Sequence, residues 1–164
     1  MTKARLKTID RIIEIIGESH TIAVCSHMRP DGDCIGSTLG LALALLDQGR
    51  EVTCWNQDPV PSKLRFLDPD QLIQTPRPIK RQFDCVIPVD SASIERLGTT
   101  QEHIANRRIL INIDHHASNT HFGDLNWIAS KEPSSGELVY QLIRQAGWKI
   151  TSRIANCLFT AIST

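Results

Sequence analysis

The sequence lacks an excess of charge of either sign. Its 164 residues carry 18 basic and 18 acidic side chains, for a formal net charge of +0. Long duplex DNA is held largely by basic side chains that neutralise phosphates, and no global positive field is present for that purpose. A small phosphorylated substrate therefore fits this composition better than duplex DNA, with a local basic patch as the remaining alternative.

Long apolar runs and paired cysteine motifs are also absent. No stretch is long enough to span a membrane, so we expect no membrane partner. The five cysteines are odd in number and form no Cys-x-x-Cys pair. Because most of them lie in apolar segments, we interpret them as buried reduced thiols. Such thiols are typical of a reducing compartment and predict a cytoplasmic protein.

Residues 27–33, His-Met-Arg-Pro-Asp-Gly-Asp, stand where a predicted strand gives way to a predicted helix. The strand is the apolar, β-branched segment 21–26, and the helix starts near Cys34 and extends to Gly49. In an α/β sheet, ligands usually bind at the carboxyl ends of the strands. The position of this turn therefore makes it a candidate binding site.

His27, Asp31 and Asp33 in this turn form the first candidate metal site. Hard divalent cations prefer carboxylate oxygens, and imidazole adds affinity for transition metals such as Mn, Fe or Zn. Our hypothesis is that the turn carries half of a two-metal site. The alternative is an aspartate that caps the following helix, with Asp33 the obvious candidate, beside a surface histidine.

Segment 84–90 is predicted to be a strand that ends on Asp90. Pro88 is unusual in such a strand, because proline removes a ladder donor; it would mark a bulge or a position with its nitrogen side unpaired. One interpretation of Asp90 is a cap for the short helix that follows. The other is a ligand at the same edge of the sheet as His27.

Segment 108–113 is predicted to be a further strand, and Asp114, His115 and His116 follow it directly. We expect Asp114 to orient an imidazole of the metal site without itself binding the metal. Three predicted strands thus each deliver acidic or histidine side chains at their carboxyl ends, which favours one shared site over three coincidences.

The remaining segments complete an α/β pattern, with a β-α-β order that implies a parallel pair. We predict a doubly wound, mainly parallel sheet with helices on both faces. The other predicted elements are helix 2–18, strand 51–56, a loop over 58–78 with a short helix at 62–67, a short strand at 127–128, a helix that ends at Gly147, and a last helix from near Ser152 that buries Ile162.

Three details carry smaller expectations. Gly36 and Gly40 would let their helix approach the sheet closely. Asp68 would be a solvated turn residue. Ser134 with Glu137 three residues later is typical of a capping box, although the serines could also face a phosphate.

Together these stretches resemble the DHH phosphoesterase superfamily, and most closely its bacterial oligoribonuclease/pAp phosphatase branch. The resemblance implies a DHH-type domain whose chemistry is phosphate ester hydrolysis. The matching segments are 27–33 with 35–37, 89–92, 114–116 with Asn119, and 134–137.

The resemblance implies two Mn²⁺ ions. His27, Asp31 and Asp90 would hold one of them. Asp33, Asp90 and His115 would hold the other, so that Asp90 bridges the pair. A two-metal site of this kind activates a water and neutralises charge on the phosphoryl group, with no side-chain nucleophile.

The resemblance also implies two catalytic residues. His116 would contact the scissile phosphate, and Asp114 would support it. The implied activity is Mn²⁺-dependent hydrolysis of short oligoribonucleotides or dinucleotides, with pAp as a further candidate substrate. Cyclic-dinucleotide phosphodiesterase and single-strand exonuclease of the recombination type are alternatives within the superfamily, and family analogy suggests a homodimer.

The sequence departs from the family pattern at its end. A further aspartate would be expected immediately after Thr164, so the second metal site should be short of one ligand. We therefore expect residues 1–164 to be a truncated DHH catalytic domain without the C-terminal substrate-binding domain, with poor nucleotide binding and doubtful activity on its own. A non-catalytic nucleotide- or metal-binding module is the alternative from another functional class.

Overall fold

The computed structural model describes residues 3–78 and 82–164. Its centre is a sheet of six strands: β1 Thr21–Cys25, β2 Glu51–Trp55, β3 Ile73–Gln74, β4 Phe83–Pro88, β5 Arg107–Asp114 and β6 Leu125–Ile128. All neighbouring strands run parallel, in the order β3-β2-β1-β4-β5-β6. The predicted parallel α/β sheet is confirmed, with β3 as a strand that the sequence did not reveal.

Within the described residues, five α-helices connect or flank the strands: α1 Lys3–Glu18, α2 Gly32–Asp47, α3 Thr100–His103, α4 Ser135–Gln145 and α5 Ser152–Ser163. Short 3₁₀ segments cover Ser62–Leu67 and Ile94–Leu97. Residue 2 of the predicted first helix lies outside the described residues. None of the helices in the described ranges combines the length and the apolar character needed to cross a bilayer.

Side chains alternate along β1 between two apolar clusters, one on each face of the sheet. Ile22 and Val24 join a large cluster built with α1, α2, α4 and α5. Ala23 and Cys25 join a smaller cluster that includes Leu97. This period of two is the consequence of strand geometry, and burial on both faces explains why β1 is apolar throughout.

The strand order reverses between β1 and β4. The chain runs outward through β2 and β3 on one side of β1, and through β5 and β6 on the other side of β4. Pro88 ends β4 opposite Cys25, and the ladder resumes at once because the Val89 N–H donates to the Cys25 carbonyl at 2.9 Å. A reversal of this kind opens a crevice at the carboxyl ends of the two strands, where ligands bind in open α/β sheets.

Gly36 and Gly40 of α2 pack against α5 and not against the sheet, contrary to expectation. A Cβ atom on Gly36 would collide with the Cys157 carbonyl, and one on Gly40 would lie 2.9 Å from Leu158. The glycines therefore let two helices approach each other closely, which draws α5 against α2.

Two smaller predictions were wrong. Asp68 is buried, because its carboxylate accepts hydrogen bonds from the Leu72 and Ile73 N–H groups at 2.8 and 3.0 Å and so fixes the start of β3. Ile162 is 40% exposed, because the preceding residue, Ala161, occupies the tight contact between α5 and its neighbours. The five cysteines are free and buried, as expected.

Candidate metal centre and active site

Three strand ends meet at the crevice. His27 lies two residues after β1, Asp90 two residues after β4, and Asp114 ends β5. His27 Nε2 lies 3.3 Å from Asp90 Oδ2 and 3.9 Å from Asp31 Oδ1. The topology thus brings together groups that are far apart in the sequence.

His27 is held in one orientation by its surroundings. Its Nδ1 lies 2.8 Å from the Met28 carbonyl and donates to it, which leaves Nε2 directed at the acids. The Asn56 side chain, buried at the end of β2, donates to the His27 carbonyl at 2.9 Å and to the Ser26 hydroxyl at 3.1 Å. Sequence reasoning missed Asn56, because an asparagine after a strand carries no distinctive local signal.

Asp31 and Asp33 take different places at the start of α2. Asp31 is the N-cap, since its Oδ1 accepts from the Cys34 N–H at 3.0 Å, and it also faces His27. The capping alternative therefore applies to Asp31 and not to Asp33, and the neighbouring histidine is buried. Cap and candidate ligand are here the same residue.

Asp33 points across the crevice to the start of α4. Its two oxygens accept N–H hydrogen bonds from Ser135 at 2.8 Å and Gly136 at 2.9 Å. Burial, together with the negative charge of Asp90, raises the pKa of Asp33 to about 7 in spite of these donors. Of the acids in this buried crevice, Asp33 is therefore the one whose pKa is raised.

Asp90 is the centre of the site and does not cap a helix. It is 2% exposed and adopts a positive φ of 55°, an uncommon conformation that concentrates at functional sites. Burial alone would raise its pKa, but the hydrogen bond and positive charge of His27 and the Ser135 hydroxyl hold that pKa below its ordinary value. Burial alone would lower the pKa of His27, but the hydrogen bond to Asp90, together with the interactions with Cys34 and the Met28 carbonyl, raises it to about 11.

The 114–116 segment provides the far wall. Asp114 is fully buried and accepts from His116 Nδ1 at 2.7 Å on one oxygen and from the Asn119 amide at 2.7 Å on the other. His115 Nδ1 lies 3.3 Å from the Glu132 carbonyl, and its Nε2 lies 3.5 Å from Asp33 Oδ2 and 3.6 Å from Asp90 Oδ1. Both imidazoles are therefore oriented by groups outside the crevice.

Two donor sets share Asp90. The His27 set comprises His27, Asp31 and Asp90, and the His115 set comprises Asp90, His115 and His116, each with ligand atoms within 4.8 Å of one another. Carboxylates mixed with correctly oriented imidazoles suit a divalent transition metal. A cleft of about 170 Å³ lies over these groups.

The family resemblance assigned Asp33 to the second ion, together with Asp90 and His115, but Asp33 is not a member of the His115 set. Its Oδ2 is nevertheless within 3.5 Å of His115 Nε2. Ser135, whose hydroxyl donates to Asp90 Oδ1 at 2.9 Å, is the contact that sequence reasoning did not find. The serine pair at 134–135 was noticed as a cap or a phosphate contact, and Ser134 is indeed the N-cap of α4.

Comparison with known proteins agrees with this geometry. A protein of Thermus thermophilus described as "Bifunctional oligoribonuclease and PAP phosphatase NrnA" is 35% identical over 144 residues, which cover 87% of this chain and 42% of that protein. A solved exopolyphosphatase-related protein from Bacteroides fragilis is 26% identical with a TM-score of 0.86 and covers 94% of this chain and 48% of its own.

A more distant likeness concerns the fold alone. The structure of RecJ from Thermus thermophilus, determined in complex with Mn²⁺, has 15% identity and a TM-score of 0.54, and the match covers 95% of this chain and 23% of that one. The chain spans less than half the length of the first three curated relatives, at 42%, 44% and 48%.

The family comparison covers most of the chain. The description "DHH family, N-terminal domain" matches residues 21–162, a range that contains every candidate site residue. The resemblance to the oligoribonuclease/pAp phosphatase branch is confirmed by the curated relatives of that description. From β1 to the end of α5, the chain belongs to the DHH family.

Proposed function

We propose that this chain provides the metal-binding domain of a Mn²⁺-dependent phosphoesterase that hydrolyses short oligoribonucleotides or dinucleotides and also pAp. The observation that carries the proposal is the placement of Asp90. One of its oxygens faces His27 and the other faces His115, at 3.3 and 3.6 Å. A single buried carboxylate is thereby positioned to serve two ions at once.

The side chains divide into metal-holding and phosphate-facing roles. His27, Asp31 and Asp90 would hold one Mn²⁺, and Asp33, Asp90 and His115 the other. The two ions would supply an activated water and neutralise charge on the phosphoryl group. Every ligand is a carboxylate or an imidazole with its second nitrogen occupied, so the chain's part is to hold the donors in place.

His116 would face the phosphate. Asp114 accepts from its Nδ1, so Nε2 remains directed away from that pair. The Asn119 amide in turn holds the second oxygen of Asp114. This chain of contacts fixes the imidazole for a hydrogen bond to a phosphate oxygen, as an aspartate fixes a catalytic histidine in other hydrolases.

The choice of a short substrate rests on the description of the curated relatives and on the neutral net charge. A long strand would need more basic surface than this composition supplies. Cyclic-dinucleotide phosphodiesterase and single-strand exonuclease activities are the rivals within the superfamily. The proposal includes a cytoplasmic protein, supported by five free buried thiols, and a homodimer by family analogy.

The test is hydrolysis of the dinucleotide pApA with Mn²⁺ by the wild-type chain, the Asp90→Ala variant and the Asp47→Ala variant. Asp47 is an exposed aspartate at the far end of α2 and serves as the matched control. Any turnover by the wild-type chain should be abolished by Asp90→Ala and left unchanged by Asp47→Ala. Equal turnover in all three proteins would reject the site.

A second candidate function is a non-catalytic metal- or nucleotide-binding module. The small cleft favours it, since about 170 Å³ lies below the usual volume of a ligand pocket, which is about 300–1,000 Å³. Mn²⁺ binding without hydrolysis of pApA would select the module over the enzyme.

A further inference from the structure

The first turn of α4 touches both central acids. Ser135 is fully buried, and its hydroxyl donates to Asp90 Oδ1 at 2.9 Å. Its backbone N–H and that of Gly136 donate to the two oxygens of Asp33. One dipeptide therefore contacts two carboxylates that lie 45 and about 100 positions away in the sequence.

We propose that Ser135 is a positioning residue that fixes the rotation of the Asp90 carboxylate, so that each oxygen faces a different metal. This inference rests on the proposed function. A carboxylate oxygen can accept along two lone-pair directions. The Ser135 hydroxyl donates to Oδ1, which also lies 3.6 Å from His115 Nε2, while Oδ2 faces His27.

The backbone of Asp90 is already fixed, but its carboxylate is not. The Asp90 N–H donates to the Ile113 carbonyl at 3.0 Å, and the residue is held at positive φ. The terminal torsion of an aspartate is broad and roughly two-fold, so the backbone alone does not select a carboxylate orientation. A side-chain donor is needed for that selection.

The histidines cannot fill this role once metal is bound. In the metal-free protein, His27 Nε2 contacts Asp90, but that nitrogen is the one required for coordination. The Ser135 hydroxyl is not one of the proposed metal ligands, so it can keep its bond to Asp90. The hydroxyl therefore acts in both states, and it prevents both oxygens of Asp90 from closing on one ion.

The Ser135→Ala variant tests the hydroxyl bond to Asp90 apart from the backbone N–H groups at the start of α4. The substitution removes the hydroxyl but keeps both N–H groups that hold Asp33. Ser134→Ala is the matched control, because Ser134 donates no bond to either acid and its hydroxyl instead accepts from the Glu137 N–H at 3.1 Å as the N-cap. Loss of such a cap lowers the melting temperature by about 2–4 °C.

The experiment is calorimetric titration of the chain with Mn²⁺ alone, with EPR spectra of the loaded protein. We expect Ser135→Ala to weaken binding of at least one ion by about 10- to 100-fold, the usual effect of removing a group that hydrogen-bonds to a metal ligand. The variant should also reduce the exchange-coupled signal of a bridged pair. Ser134→Ala should keep the wild-type affinity and spectrum.

Two results would overturn the role of Ser135. The first is a Ser135→Ala variant with wild-type affinity and coupling, and the second is equal weakening in both serine variants, which would indicate a general effect of the helix start. Absence of Mn²⁺ binding by the wild type would reject the metal site itself. Normal binding without hydrolysis of pApA would reject the proposed enzyme and leave the role of Ser135 intact.

Discussion

Asp84 and Asp90 lie at opposite ends of β4 and behave differently. Asp84 accepts N–H hydrogen bonds from His20 and Thr21, both at 2.9 Å, and these donors hold its pKa below the ordinary value. Asp90 is buried among imidazoles and a second acid. Backbone N–H donors hold one oxygen of Asp84, whereas each oxygen of Asp90 faces an imidazole of the candidate metal site. The surroundings of an acid, more than its position on a strand, distinguish a structural from a functional role.

The largest expected effect is the difference in Mn²⁺ binding between variants of these two acids. Asp90→Asn should weaken Mn²⁺ binding by more than about 100-fold, above the range for groups that only hydrogen-bond to a metal ligand. Asp90 belongs to both donor sets, and the substitution removes one of its two carboxylate oxygens. Asp84→Asn should bind Mn²⁺ as the wild type does. Titration calorimetry measures both variants, and an equal loss in the two would remove the distinction between the ends of β4.

Asp114 extends the comparison to β5. Asp114→Asn should reduce turnover of pApA by about 10²- to 10⁴-fold while Mn²⁺ binding persists, because His116 loses the acceptor that orients it. Asp124→Asn is the control, since Asp124 accepts only a structural bond from the Leu110 N–H in the contacts described, at 2.8 Å. Unchanged turnover in Asp114→Asn, or a loss of its Mn²⁺ binding, would contradict the assigned role.

The pH dependence of stability tests the charge arrangement at the site. The pKa of Asp33 rises from 3.8 to about 7, and that of His27 from 6.5 to about 11. In both cases the folded state binds protons more tightly than the unfolded state, so stability falls as pH rises through these windows. The lowered pKa of Asp90 acts in the opposite sense, but only at acidic pH.

We therefore expect the melting temperature of the metal-free protein, in chelator, to fall between about pH 5 and about pH 9. Asp33→Asn should flatten the part of this slope below about pH 7, because the titrating carboxyl is gone. A melting temperature that rises over this range would show that the acids are stabilised as anions.

The smallest effect concerns Asp84. Asp84→Ala should lower the melting temperature by roughly 2–4 °C, the size expected for a single lost cap, because the start of β1 loses its acceptor. The part of stability that this acid provides is present above its ordinary pKa of 3.8 and disappears as pH falls below it. Thermal unfolding at neutral and acidic pH checks both statements, and an unchanged melting temperature would contradict them.

Much of the candidate site could be predicted because its signals are local. Asp114 and His116 are two residues apart, and their contact follows from proximity in the chain. Asp31 and His27 occupy one turn between β1 and α2. The convergence of three strand ends followed from the rule that parallel strands present their carboxyl ends at one edge.

The failures share a physical cause. Gly36 was assigned to the sheet, but it faces α5, which lies more than a hundred residues later. Asp68 was expected in solvent, but the short strand β3 buries it. Periodicity shows that a side chain will be buried or exposed on average, and it does not show which element covers it.

The sequence by itself determined the parallel α/β class, the apolar strands and the types of side chain that follow them, because these depend on periodicity and on short-range turn chemistry. Only the tertiary structure decided which acids share a partner. The contacts of Ser135 with Asp90 and Asp33 arise from the packing of α4 beside α2 and β5. Such contacts join distant parts of the chain, and packing, not spacing, sets their distance.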